Sequence, residues 1–152
     1  MKRKLMAFLL MACCMGATAC NVPFFGGEDT VSVSVTQEEK LATIEQLTED
    51  MAAIRVLKVQ GEETVLDVMQ YLQADGQFTF AENGGMVTSI NGKENTADWS
   101  YCWMLYTSDA ELANKEWGEV EYKGKKLGSA IVGAKDLPVV EGEIYIWVYQ
   151  GF

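Results

Sequence analysis

Residues 86–110, MVTSINGKENTADWSYCWMLYTSDA, constrain this chain more than any other stretch. An apolar run meets Asn91-Gly92, a dipeptide that turns strands tightly because both central positions of a two-residue hairpin need positive φ. After a polar loop, Tyr101, Trp103 and Leu105 alternate with Cys102, Met104 and Tyr106. Period-two alternation of this kind belongs to strands. The second such run lies at residues 143–150, where Ile144, Ile146 and Val148 alternate with Tyr145, Trp147 and Tyr149. One face of that strand is aliphatic and the other wholly aromatic. We expect the aliphatic face to pack on a helix and the aromatic face to meet Tyr101 and Trp103 across the sheet.

Helical signals frame these strands. Thr64 followed by Asp67 makes a capping pattern, and Val65, Leu66, Met69 and Leu72 share one side of a helix that stops near Asp75-Gly76. Upstream, Thr36 and Glu39 repeat the capping pattern ahead of Leu41, Ile44, Leu47, Met51 and Ile54, whose spacings of three and four predict an amphipathic helix over 37–53. Val31, Val33 and Val35 alternate with serines and read as a first strand, and residues 54–60 as another. Residues 111–126 are polar and charged, with Trp117 and Tyr122 among them. They suggest a small hairpin or a loop projecting from the sheet. The expected fold class is therefore α+β: a β-grasp-like mixed sheet with one packed helix and an additional N-terminal amphipathic helix.

Composition narrows the chemistry. The chain of 152 residues has no histidine, which removes the serine–histidine and cysteine–histidine nucleophile schemes and histidine-held zinc. No catalytic set and no metal site stand out, and no enzymatic activity is expected. The formal charge of −10 repels phosphate backbones, so nucleic acid is not an expected partner. Of four cysteines, Cys13, Cys14 and Cys20 sit at the N-terminus, leaving Cys102 alone in the remainder. Beside Tyr101 and Trp103 it reads as a small buried hydrophobe.

Residues 1–19 have the export pattern: Lys2-Arg3-Lys4, an apolar stretch from Leu5, then Gly16-Ala17-Thr18-Ala19. Ala17-Thr18-Ala19 alone is an ordinary cleavage pattern. Followed by Cys20, it resembles the bacterial lipoprotein signal, in which that cysteine is lipidated. The resemblance implies a lipoprotein-type signal peptide over 1–19, a tether over 20–29 and a domain over 30–152. It also implies export, with the lipid on Cys20 as the membrane contact at the outer face of the bacterial cell membrane.

Five pieces, in this order, carry a second resemblance: Val31 to Val35; Glu62-Glu63-Thr64-Val65-Leu66-Asp67-Val68; Ser89-Ile90-Asn91-Gly92; Trp103-Met104-Leu105-Tyr106; and Glu141-Gly142-Glu143 leading into Ile144 to Tyr149. Together they resemble the transcobalamin C-terminal-like domain, common as small lipoproteins on Gram-positive bacteria. In the vertebrate cobalamin carriers this domain closes over one side of the corrin ring. The resemblance implies a corrinoid as ligand and no resident cofactor. It places Trp103 on the strand leading to the ligand-facing loop, and Thr107 and Ser108 at that loop's start. Trp117, Tyr122 and Trp147 add aromatic planes suited to a flat macrocycle. A lone closing domain covers one side only, so tight binding calls for a partner or a dimer. The alternative function is a surface adhesion module that contacts protein or glycan through residues 111–126.

Overall fold

A computed structural model of the chain describes residues 39–152. The expected leader and tether over 1–29, Cys20, the strand at Val31 to Val35 and the capping Thr36 lie outside the described residues. Among those described, the one helix is that opened by Thr64, and nine strands make up most of the rest. The expected α+β class is corrected: this is a mostly β fold.

The correction centres on the helix expected over 37–53, whose described residues form a hairpin instead. β1 (Ala42–Leu47) and β2 (Met51–Val56) pair antiparallel, and Thr48 N donates to Met51 O at 2.8 Å across the turn. Ala42, Ile44, Ala52, Ile54 and Val56 face one core, while Met51 and Ala53 face another. A strand covered on both faces is apolar at nearly every position, so the period that separates strand from helix disappears. The strand expected over 54–60 reaches only Val56; beyond it Leu57 N and Lys58 N both donate to Leu41 O, at 2.8 and 3.1 Å.

The helix at Thr64 forms as expected. In α1 (Val65–Ala74), the Thr64 side chain accepts from Asp67 N at 3.3 Å, and Asp67 accepts in return from Thr64 N at 2.8 Å. The Thr64 backbone N–H first, then the Thr64 hydroxyl, which donates to the same carboxylate at 2.7 Å, hold the Asp67 carboxyl below its ordinary range. Such a cap contributes about 1 kcal/mol. Val65, Val68, Met69 and Leu72 are buried from this helix against the main sheet.

That sheet has six strands in the order β1-β2-β9-β6-β8-β7, with β6 (Tyr101–Thr107), β7 (Ala113–Tyr122), β8 (Lys125–Ala130) and β9 (Ile144–Gly151), all antiparallel. A smaller sheet holds β3 (Phe80–Asn83), β4 (Met86–Ile90) and β5 (Lys93–Glu94). Asn91 and Gly92, at φ of 49° and 79°, make the tight β4–β5 turn that the sequence predicts. Residues 86–110 are thus divided: the hairpin belongs to the small sheet and the aromatic strand to the large one. In the large sheet Trp103 pairs with Tyr149 and Leu105 with Trp147.

The faces of β9 are the reverse of the expectation. Tyr145 and Trp147 share the core with α1, and Ile144 and Ile146 lie on the other side. Alternation decides which residues share a face, but not which face receives the helix. The aromatic rings, each burying roughly 150–250 Å², fill the deeper layer between sheet and helix.

The aliphatic face is covered by the sheet itself. Glu45 of β1 pairs with Arg55 of β2 and also accepts from Lys123 Nζ at 2.9 Å and Tyr122 OH at 3.3 Å, from the far end of β7. The two edge strands form no ladder with each other, so the sheet curls toward a barrel whose seam is closed by side chains. Ala53, Tyr106, Tyr122, Leu127, Ile144 and Ile146 fill its interior. Residues 111–126 therefore do not project from the sheet; most of them are its edge.

Candidate functional site

An apolar cleft of about 620 Å³ opens beside the main sheet. Its volume is that of a small-molecule site. Trp103 and Trp147 lie in its floor, each about 95% buried, at adjacent strands of the main sheet. Met86, Trp117, Ile131 and Val132 stand at its rim as exposed apolar side chains. Lys135 and Asp136 are the charged residues of the lining and oppose one another in sign.

Local sequence explains how these parts meet. β7 loses register with β8 between Asn114 and Glu119. There Gly118, at φ 149°, has no side chain to strike the Tyr106 hydroxyl, which would lie 3.0 Å from a Cβ. The irregularity turns Trp117 outward to 63% exposure at the cleft. On the other side, the β3–β4 turn approaches the 131–136 loop so closely that a Cβ on Gly85 would meet Lys135 Cβ at 2.8 Å. That proximity joins Met86 to Ile131 and Val132 along one rim.

The two floor indoles differ in their hydrogen bonding. Trp103 Nε1 donates to Lys93 O at 2.8 Å. Trp147 Nε1 is buried and has no partner among the described residues. An unpaired buried donor costs about 1–3 kcal/mol.

Of the residues singled out from the sequence, Trp103, Trp117 and Trp147 come together here. Thr107, Ser108 and Tyr122 do not. Thr107 is fully buried and its hydroxyl accepts from Asp109 N at 3.1 Å. Ser108 bonds the Glu143 carboxylate and accepts from Ile144 N at 2.9 Å, pinning β6 to the start of β9. Tyr122 closes the barrel seam. Four residues separate Ser108 from β7, which begins at Ala113. Sequence reasoning missed Met86, Ile131 and Val132; their one signal was apolar character beside Gly84-Gly85 and within the small-residue run from Leu127 to Ala134. Cys102 is half-buried, and burial pushes its thiol up, away from the reactive thiolate. Among the described residues no group of three or more His, Cys, Asp or Glu is placed to hold a metal.

Comparison with known proteins gives no counterpart. No family model, curated protein or solved structure matches this chain.

Proposed function

We propose that the chain is a non-catalytic binding domain whose tryptophan-lined cleft takes one face of a flat, largely apolar ligand. The convergence of Trp103, Trp117 and Trp147 on one apolar cleft carries this reading. Aromatic walls with few charged groups suit an apolar plane. The resemblance to transcobalamin C-terminal-like domains puts forward a corrinoid. A cleft open on one side matches a domain that covers one face of such a ring and leaves the other to a partner.

The test is co-elution of cyanocobalamin or cobinamide with the full-length chain in gel filtration, together with quenching of tryptophan fluorescence. Trp117 is mostly exposed, so Trp117→Ala is expected to leave the melting temperature unchanged and to weaken binding by about tenfold, the loss of one aromatic contact of about 1.4 kcal/mol. A corrinoid that elutes apart from the protein at high protein concentration rejects the corrinoid assignment.

The same reading places the domain outside the cell, lipid-anchored through Cys20. Radiolabelled palmitate is expected to enter the wild-type chain and not Cys20→Ala. Equal labelling of the two would refute the anchor.

A further inference from the structure

A second groove, of about 330 Å³, runs beside the β4–β5 hairpin and shares no lining residue with the first. Thr88, Ser89, Glu94, Asn95 and Trp99 border it. Trp99 is unusual on two counts. Its φ is 62°, a region that bulky side chains rarely adopt and that costs about 1–3 kcal/mol, and its indole is 52% exposed. Burial of the ring therefore offsets little of the strain.

The strain is held in place by the loop around it. Trp99 N donates to Thr96 O at 3.0 Å, Thr96 N to Tyr101 O at 2.9 Å, and Tyr101 N to Thr96 Oγ1 at 2.9 Å. Asn95 is tied to β4 by its backbone, through Thr88 O at 2.9 Å, and by its side chain, through Val87 O at 3.1 Å. Asp98 accepts from the Ser100 hydroxyl at 2.8 Å and backbone N at 3.1 Å. The Ser100 hydroxyl first, then Thr96, holds the Asp98 carboxyl down to about 2, so this clasp persists across the physiological range. A rigid loop thus presents a half-exposed indole beside a polar groove.

The groove also has hydrogen-bonding capacity left over. The hydroxyls of Thr88 and Ser89 and the carboxylate of Glu94 make no hydrogen bond among the described residues, whereas both ends of the Asn95 amide are used. One flat aromatic plane beside two hydroxyls and a carboxylate matches a ring with an apolar face and a hydroxylated edge. We propose that this groove is a carbohydrate subsite, in which Trp99 stacks on the apolar face of a neutral pyranose while Thr88, Ser89 and Glu94 bond its hydroxyls. A carboxylate can accept from two neighbouring hydroxyls of one sugar. The acidic chain, at −10, disfavours uronic or sulfated sugars. A single indole falls short of the aromatic cage that recognises a quaternary ammonium, and a purely apolar ligand would leave the three polar groups stranded.

The test titrates the full-length chain with chitotetraose, cellotetraose and maltotetraose by calorimetry and by tryptophan fluorescence. At least one is expected to bind with a dissociation constant on the order of 0.1–1 mM, as suits a shallow single-ring site. Trp99→Gly separates binding from folding, because glycine adopts φ near 62° without strain. It is expected to weaken binding at least about tenfold, the loss of one stacking contact, and to leave the melting temperature unchanged or raised. Glu94→Gln is expected to weaken binding by a smaller factor, and Trp117→Ala, in the other cleft, to leave it untouched. Silence with all three sugars, unchanged binding in Trp99→Gly, or a fall in that variant's melting temperature would each overturn the proposal.

Discussion

Trp147→Ala is expected to lower the stability of the domain by about 3–5 kcal/mol, the range for deleting a large buried aromatic side chain. Trp147 sits on β9, the third strand of six, paired with Ala52 of β2 on one side and Leu105 of β6 on the other, and it is 4% exposed. The small Ala52 cannot move in to refill the space, so the cavity persists beneath the cleft. Urea unfolding followed by circular dichroism measures the loss as a shift in midpoint. Trp147→Phe is the informative companion. It keeps most of the ring and removes the N–H that has no partner, so lost packing is offset by relief of about 1–3 kcal/mol. Its net cost is expected to stay well below that of alanine; equal costs would mean that the indole N–H is satisfied in solution.

Glu45→Gln is expected to cost about 2–3 kcal/mol near neutral pH, with a characteristic pH dependence. The Arg55 hydrogen bond, joined by Lys123, holds the Glu45 carboxyl down to about 2 against a burial that pushes it up. Its side chain is only 13% exposed, which makes the shift a real contribution to stability, while the exposed Lys123 places the figure below the full value of about 1.4 kcal/mol per pKa unit. The folded pKa lies below the unfolded one. The stabilisation is therefore complete above about pH 5 and is lost as the pH falls through about 4 toward 2. Thermal unfolding of wild type and variant is expected to differ most at neutral pH and to converge near pH 2. A gap that stays constant over that span would show that the loss comes from packing and not from the charge at the barrel seam.

The elements legible in the sequence were those whose signals are local. Thr64 and Asp67 satisfy each other's backbone within one turn, so the start of α1 could be read from four residues. Asn91-Gly92 supplies the positive φ of its own turn, and Lys123-Gly124, at φ of 48° and 76°, does the same between β7 and β8. The alternation of β9 was visible because its aromatic and aliphatic residues divide between the two faces, and β6 pairs with it along its whole length. What failed was the stretch from Leu41 to Ile54. Its spacing suits a helix, and only the presence of a second apolar layer, formed when β7 curls back to Glu45, makes a two-sided strand the better solution. That contact joins residues 78 positions apart, and no local pattern encodes it.

The candidate site divides in the same way. Trp103, Trp117 and Trp147 stand out as aromatic residues on or near strands, but nothing in the sequence says that they face one cleft. Their convergence needs the bend at Gly118, the close approach at Gly85 and the pairing of β6 with β9. Thr107, Ser108 and Tyr122 look equally functional as sequence, and the fold uses them as structural ties. The sequence by itself determined the paired strands β6 and β9, the turns at Asn91-Gly92 and Lys123-Gly124 and the capped start of α1, because these depend on backbone preference within a few residues. Only the tertiary structure decided which face of each strand is covered, which edges meet and which aromatics are left to bind, because those follow from burying apolar surface between parts of the chain far apart in sequence.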